Sequence, residues 1–299
     1  MQAAVDAALA HARRVEGGAV SSVYPALAGA DPELVAVAAA PIAGAPIVAG
    51  DAAHPFALMS LSKVFVLAFV AETIGVARAS DELGVEATGL RFDDPEAIDR
   101  GDGVTNPMVT PGAIATTSRL PGDGLDARWA LLRERLSALA GTELVLDPVL
   151  HGQAGGANPR LEALVARLAA HGAIAGDPVE ALELYVRQCC LQATVTQVAA
   201  MGAALAAAGT PASRHAIALM AIAGMYETSG RWLAEVGIPA KNGLAGGVLA
   251  VVPGWGALAA FSPRVDAAGT SVPGRVAIRE LSTRLGLDLL TGAPAAPLG

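Results

Sequence analysis

Runs of apolar residues typical of β-strands lie near both ends of the chain. Residues 33–40 and 46–48 form two such runs, separated by a Pro-Ile-Ala-Gly sequence that is typical of a turn. Residues 246–252 and 257–261 form two more on either side of a Pro-Gly pair, which predicts a hairpin. We therefore expect one sheet that combines strands from the N- and C-terminal thirds.

Helical spacing dominates the rest of the chain. An amphipathic helix is expected at 1–16, a closing helix at 273–286, and an apolar helix over about 60–77. Residues 80–111 are rich in Gly, Asp and Pro, which predicts loops. Five further segments place Leu, Val, Met and Ala at helical intervals: 126–140, 159–171, 178–191, 194–208 and 213–223.

These elements predict an α/β (α+β) fold, in which an antiparallel sheet flanked by the N- and C-terminal helices carries an inserted helical domain. The sheet lobe would comprise residues 1–79 and 237–290, the helical lobe residues 80–236, and a frayed tail residues 291–299. A cleft between two such lobes is a common place for an active site.

Composition narrows the range of functions. The net charge of −8 over 299 residues argues against a nucleic-acid partner, and Glu72 interrupts the best candidate for a membrane span. Two adjacent cysteines offer no disulfide framework and the N-terminus lacks a signal-peptide pattern, so we expect a cytoplasmic protein. The five histidines show no metal-ligand spacing, so we expect neither a metal nor a cofactor.

Candidate chemistry begins at the Met-Ser-Leu-Ser-Lys sequence that opens the apolar helix. Ser60 and Lys63 are three residues apart and would share one helix face. The helix N-terminus favours a developing negative charge, and a lysine of lowered pKa could take the proton of a serine nucleophile. The same spacing also fits a capping serine and a solvated lysine on a core helix.

The small number of lysines in this chain supports the interpretation of Lys63 as a base for Ser60. The sequence contains 18 arginines but only two lysines, Lys63 and Lys241. Arginine stays protonated in proteins, whereas lysine can lose its proton. Retention of these two lysines therefore indicates amine or ammonium chemistry.

Several sequence blocks occur in an order that matches one enzyme family. They are FALMSLSKVF at 56–65, VEATG at 85–89, NPM at 106–108 with GAI at 112–114, GMY at 224–226, GIPAKNG at 237–243 with GG at 246–247, and FSP at 261–263 with GTSV at 269–272. Over about residues 16–290 the chain resembles the serine-dependent glutaminases. The resemblance implies a β-lactamase/DD-peptidase-like fold, hydrolysis of a small-molecule carboxamide with release of ammonia, and a homo-oligomer (dimer or tetramer).

The resemblance also implies roles for individual residues. Ser60 would be the nucleophile, Lys63 its general base, and Tyr226 a tyrosine that contacts the serine and relays a proton. Tyr185 matches a second active-site tyrosine, and Lys241 matches the lysine of the fold's Lys-Ser-Gly or Lys-Thr-Gly motif. Each tyrosine could instead be a core aromatic residue with a satisfied hydroxyl group.

The expected substrate and oxyanion contacts follow from the same resemblance. Backbone N–H groups of Ser60 and Leu244 match the family's oxyanion hole, and Asn242 replaces the Ser or Thr of the lysine motif. Asn106 belongs to the Asn-Pro-Met block, and Tyr24 lies one position from the place of a family tyrosine.

Other residues that hold the glutamine head group in the family are replaced. Thr110 stands in place of an asparagine, Ala154 in place of a glutamate and Leu161 in place of a second asparagine, although a small alignment shift would bring Asn158 into play. Burying an ammonium and a carboxylate without polar partners costs several kcal/mol. We therefore expect the catalytic chemistry to be kept and the substrate contacts to be rebuilt.

Three functions agree with this sequence. The first is amide hydrolysis through an acyl-Ser60 intermediate, on glutamine or, in our preferred interpretation, on a glutamine-related or less polar amide. The second is acyl transfer from the same intermediate to an amine or alcohol. The third is a non-catalytic binding protein that has lost glutaminase activity, although retention of Ser60 and both lysines argues against it.

Overall fold

The computed structural model describes residues 1–156 and 158–291. Its centre is a five-stranded antiparallel sheet with the order β3-β2-β9-β8-β7, accompanied by a two-stranded ladder β1-β10 and a small sheet β4-β6-β5. The strands are β1 (Ala19–Val20), β2 (Ala36–Pro41), β3 (Ile47–Gly50), β4 (Phe56–Ala57), β5 (Val145–Leu146), β6 (Leu191–Ala193), β7 (Ala240–Asn242), β8 (Gly247–Val252), β9 (Gly256–Phe261) and β10 (Arg264–Val265).

Helices surround the sheet and fill the middle of the chain. They are α1 (Gln2–Arg13), α2 (Pro25–Ala28), α3 (Ser62–Ile74), α4 (Val76–Leu83), α5 (Glu96–Arg100), α6 (Thr110–Thr117), α7 (Gly124–Ala140), α8 (Pro148–Gly155), α9 (Pro159–Ala170), α10 (Pro178–Cys189), α11 (Val195–Ala208), α12 (Pro211–Ala223), α13 (Ser229–Val236) and α14 (Val272–Leu285). Single 3₁₀ turns at Met59–Leu61 and Tyr226–Thr228 precede α3 and α13.

The central strands are apolar throughout because helices cover both faces of the sheet. Leu249 and Ala259 pack into the layer that contains α3 and α11, whereas Val248 and Leu258 pack against α1 and α14. Alternate side chains of a strand point to opposite faces, so every position of β8 and β9 is buried. The predicted hairpin and the predicted joining of N- and C-terminal strands are confirmed.

Helix α11 lies against the sheet at short distance because residue 202 is glycine. A Cβ atom at Gly202 would lie 2.6 Å from the Cβ atom of Ala257. By sequence α11 belongs to the predicted helical lobe 80–236, and in the structure it covers one face of the sheet. The division into two lobes stays a prediction, and residues 292–299 of the predicted tail lie outside the described residues.

The sequence patterns missed several short elements. Gly75, with a φ of +88°, ends α3, so the predicted continuation to residue 77 is wrong and a separate helix α4 follows. Helix α5 lies inside the predicted loop region 80–111, and α13 was not predicted. The helix predicted over 178–191 ends at Cys189, because the chain then enters strand β6.

Within the described residues, no single helix is long and apolar enough to span a membrane. One bent pair, Met59–Ile74 with Val76–Leu83, meets the length and composition criteria only across a bend of 119°.

Candidate active site

Ser60 lies in a strained turn that leads directly into the apolar helix α3. The 3₁₀ turn Met59–Leu61 follows strand β4, and Met59 has a φ of +47°, which is unfavourable for a residue with a side chain. Strain of this kind is maintained only where the surroundings hold it, and it is common at functional sites. Here the buried face of α3 and the pairing of β4 with β6 hold the turn.

Lys63 follows in the first turn of α3 and is buried. Its side chain is 1 % exposed, and its Nζ atom lies 3.5 Å from both the Met108 carbonyl oxygen and Thr110 Oγ1. Burial lowers the pKa of Lys63 to about 8, against smaller opposing effects of Cys189 and Asp93, because a dry environment disfavours the charged amine. The alternative of a solvated lysine on a core helix is therefore wrong.

Lys241, on the edge strand β7, is also fully buried. Its Nζ atom donates to the Gly224 carbonyl at 2.7 Å, to the Asn242 carbonyl at 3.0 Å and to Asn242 Oδ1 at 2.9 Å. Burial holds the pKa of Lys241 well below its usual range, and the positive charge of Lys63 acts in the same direction. The charge of Lys63 therefore adds to burial in disfavouring protonation of Lys241.

Tyr226 lies between the two lysines. The Lys241 Nζ atom is 3.7 Å and the Lys63 Nζ atom 5.7 Å from the centre of its ring, and Phe92 stacks on the ring with a centroid distance of 4.5 Å. Its hydroxyl is buried, and within the described residues it makes no hydrogen bond of normal geometry. Burial raises the pKa of this hydroxyl, and the nearby Ser60 hydroxyl partly opposes the shift.

Tyr185 projects from α10 and completes the cluster. The Lys63 Nζ atom lies 5.8 Å from the centre of its ring. Burial raises the pKa of Tyr185 well above its usual value, whereas the nearby Thr110 hydroxyl acts in the opposite direction. The structure thus brings the five residues of the predicted catalytic set, from four distant parts of the chain, into one buried group.

The backbone near Leu244 approaches the Ser60 turn because residue 243 is glycine. A Cβ atom at Gly243 would lie 2.9 Å from the Leu58 carbonyl oxygen and 3.5 Å from Met59 Cβ. Among the described residues, the N–H groups of Ser60 and Leu244 donate to no other backbone carbonyl. Both donors are thus available to an oxyanion formed at this turn.

A cavity of about 600 Å³ opens above this group. Its wall includes five of the predicted residues, whereas Lys63, Tyr226, Lys241 and Asn242 lie beneath its surface. The five are Tyr24, Ser60, Thr110, Tyr185 and Leu244.

Two predicted substrate contacts are placed elsewhere. The Asn106 side chain is fully buried, donates to the Val85 and Glu86 carbonyls, and accepts from the Met108 N–H. Asn242 donates to the Ala268 carbonyl and Thr270 Oγ1. The expectation that these amides contact a substrate directly is therefore corrected, because neighbouring backbone and side-chain groups already occupy their polar atoms.

The positions where the family resemblance breaks down do line the cavity. Ala154, Leu161 and Asn158 are all part of its wall, and Asn158 Nδ2 lies 3.5 Å from the Tyr24 hydroxyl. Gln153 instead accepts from the Ala26 N–H at 2.8 Å and so supports the wall from outside. The cavity therefore has apolar side chains at positions 154 and 161.

Sequence reasoning missed a charged cluster and an aromatic residue of the site. Arg91, Asp93 and Arg160 line the cavity, and Phe92 stacks on Tyr226. Asp93 and Phe92 lie in the stretch 80–111, for which the sequence predicts loops, and no spacing rule connects them with residue 160. In residues 1–156 and 158–291, no group of three or more His, Cys, Asp or Glu side chains could hold a metal ion.

Solved structures of glutaminases have the same fold as this chain. The structure matches that of a probable glutaminase, ybaS, with a TM-score of 0.94 and 34% identity over 97% of this chain and 98% of that one. It matches Mglu in its tris and glutamate form with a TM-score of 0.91 and 31% identity over 98% of this chain and 68% of that one. The fold is thus the β-lactamase-like fold of these enzymes.

Sequence comparison then identifies the family. The glutaminase family model matches residues 18–290. Glutaminase 2 of Yersinia pestis is 41% identical over 93% of this chain and 85% of its own length, and the glutaminase of Brucella canis is 37% identical over 97% and 96%. The chain belongs to the glutaminase family and is a glutaminase-like amide hydrolase.

Proposed function

We propose that the protein is a serine-dependent amidohydrolase in which Ser60 is the nucleophile and Lys63 is its general base. The observation that carries this proposal is the environment of Lys63. The amine is buried beside the serine turn, its nearest acceptors are neutral oxygens at 3.5 Å, and its pKa is about 8. A general base works best when its pKa lies near the working pH.

The reaction would proceed in two steps. The Ser60 hydroxyl gives its proton to Lys63 as its oxygen bonds to the amide carbon, and the N–H groups of Ser60 and Leu244 stabilise the oxyanion. Collapse of this intermediate breaks the C–N bond, and the nitrogen leaves as ammonia after it receives the proton through Lys63 and Tyr226. Water then cleaves the acyl-Ser60 ester, so that amide and water become carboxylic acid and ammonia.

Lys241 and Tyr185 would support these steps. Lys241 is fixed by three hydrogen bonds and lies against the face of Tyr226, so it would position the proton relay and disfavour protonation of Lys63. Tyr185 lies on the cavity wall near Lys63, where it would contact both the base and the substrate.

The preferred substrate in this proposal is an amide other than free L-glutamine. Support comes from Ala154 and Leu161, which present apolar groups to the cavity. An acyl-Ser60 ester could also pass to an amine or alcohol, and product analysis with added nucleophiles would detect this alternative. A homo-oligomer in the cytoplasm, acting without cofactor or nucleic acid, stays a prediction that light scattering and cell fractionation would test.

The first experiment is a comparison of wild type with Ser60→Ala. Ammonia release from a panel of amides, L-glutamine included, should fall at least about 1,000-fold in the variant. Mass spectrometry should show an acyl adduct on Ser60 after treatment of the wild type with p-nitrophenyl acetate. Ser80→Ala, outside the cavity, is the control and should keep full activity.

Persistence of activity in Ser60→Ala would contradict the mechanism. A folded wild type that cleaves no amide and takes up no acyl group would favour the non-catalytic binding protein.

A further inference from the structure

Three charged residues of the cavity wall form a cluster that the proposed reaction does not use. Arg91 Nε donates to Asp93 Oδ1 at 2.8 Å, and the Arg160 guanidinium pairs with Asp93 Oδ2. The Asp93 side chain is 7 % exposed, whereas those of Arg91 and Arg160 are 56 % and 59 % exposed. The cluster therefore has a surplus positive charge, located on its two exposed members.

The cluster is attached to the catalytic group through its backbone. Phe92, between Arg91 and Asp93, stacks on Tyr226, and its carbonyl accepts from the Thr110 N–H at 2.7 Å. Arg160 lies in the first turn of α9, whose N-cap is Asn158. Since both Asp93 oxygens are engaged, this carboxylate orients two arginines and is not free to receive an ammonium group.

The rest of the wall provides no free carboxylate. Asp266 is the other acidic residue among those that line the cavity in the described part of the chain. Its Oδ1 atom accepts from the N–H groups of Ala268 and Thr270, and its Oδ2 atom lies 3.9 Å from Arg275. With alanine at position 154, the described part of the cavity wall has guanidinium groups in excess and no free carboxylate to pair with an ammonium.

We propose that the natural substrate is an amide whose acyl part carries a carboxylate and no free ammonium, and that Arg160 and Arg91 bind this carboxylate. This inference rests on the proposed function. The planar guanidinium fork matches a carboxylate in geometry and charge. An ω-monoamide of a dicarboxylic acid has this chemistry, with its amide at Ser60 and its carboxylate at the arginines.

The test compares two amides of equal chain length, 5-amino-5-oxopentanoate and neutral pentanamide. Wild type should prefer the anionic amide in kcat/KM, and L-glutamine should be poorer because its ammonium would have no free carboxylate as a partner. Arg160→Gln should lose about 10- to 100-fold on the anionic amide, as expected for one charged hydrogen-bond partner, mainly through KM. Its loss on pentanamide should be less than about threefold.

Arg167→Gln provides a matched control. Arg167 lies on the same helix, pairs with Asp99 at 3.2 Å and does not line the cavity, so its replacement should change neither kinetic constant. A wild-type preference for pentanamide would overturn the inference, as would equal losses on both amides in Arg160→Gln, since those indicate a purely structural ion pair.

Acylation of Ser60 tests the proposed reaction separately from the proposed substrate class. If p-nitrophenyl acetate labels Ser60 and only neutral amides are cleaved, the reaction stands and the carboxylate-bearing substrate class is wrong. If Ser60 is neither labelled nor needed for cleavage of any amide, the reaction itself is wrong and the inference falls with it.

Discussion

At the scale of single residues, the two lysines show how burial determines chemistry. The chain uses arginine at 18 positions, where a permanent positive charge suffices, and lysine at only two. Both lysines are buried, with Lys63 1 % and Lys241 0 % exposed. A fully buried arginine would stay charged, and a buried charge without a partner is costly. Lysine can avoid this cost by losing its proton, which also makes Lys63 suitable as a base.

Replacement of Lys63 should therefore stabilise the protein while it removes activity. The folded pKa of about 8 lies below the ordinary value of about 10.4, so the unfolded chain binds more protons between these pH values, and stability rises with pH there. Below pH 8 the burial costs on the order of 3 kcal/mol. Lys63→Met should raise the free energy of unfolding at pH 7 by about 1–3 kcal/mol, measured by urea titration.

The pH dependence of the stability gain distinguishes removal of a buried charge from a general packing effect. The gain in Lys63→Met should shrink as the pH rises from about 8 toward 10, because the folded lysine is then neutral while the unfolded lysine progressively loses its proton. A gain that stays constant from pH 7 to pH 10, or a loss of stability, would contradict the assignment.

At the scale of elements, long and strongly patterned segments were predictable and short connecting ones were not. Strands β2, β8 and β9 and helix α11 have continuous apolar or helical patterns, and they appear where expected. Helices α5 and α13, with five and eight residues, are too short to show a clear period. The site depends on such short pieces, since the Ser60 turn, the Tyr226 turn and the segment around Gly243 are all irregular.

Gly243→Ala should damage catalysis more than folding. The added Cβ atom would meet the Leu58 carbonyl at 2.9 Å and move the Leu244 N–H away from the Ser60 turn. Loss of one oxyanion donor reduces kcat by about 10²–10³-fold, so we expect kcat to fall at least about 10-fold, with Tm within a few degrees of wild type.

Gly29→Ala is the control, because a Cβ atom there meets nothing within 4 Å. Equal kcat values for Gly243→Ala and wild type would exclude the Leu244 N–H as an oxyanion donor.

At the scale of the whole molecule, the sheet and its helical covers determine where the cavity lies. Helix α11 presses on one face, α1 and α14 cover the other, and β7 at the sheet edge places Lys241 next to α3 and the Tyr226 turn. The cavity wall then includes Ala154 and residues from the segments 19–24, 91–93, 158–164, 185–190 and 265–269. The site is therefore a property of the packed fold and not of any one segment.

Gly202→Ala tests the packing of α11 on the sheet. A helical Gly→Ala change normally stabilises by up to about 1 kcal/mol, but here the Cβ atom would lie 2.6 Å from both Ala257 Cβ and Leu249 Cδ1. We expect a net loss of about 1–3 kcal/mol from overpacking, measured by urea denaturation. Gly230→Ala, in α13 with open space around it, should be neutral or slightly stabilising, and similar results for both variants would contradict the close packing.

The sequence by itself determined the antiparallel hairpin and the main covering helices, because local periodicity follows the order of residues along the chain. Through its resemblance to the glutaminases it also predicted a catalytic set from Ser60 to Lys241. It also predicted that Ala154 and Leu161 replace two polar residues of the family. Only the tertiary structure decided that the Asn106 and Asn242 amides are occupied by neighbouring groups, that both lysines are buried, and that Asp93 pairs with Arg91 and Arg160. Burial and contacts between distant residues depend on how the elements pack, and one-dimensional spacing does not contain that information.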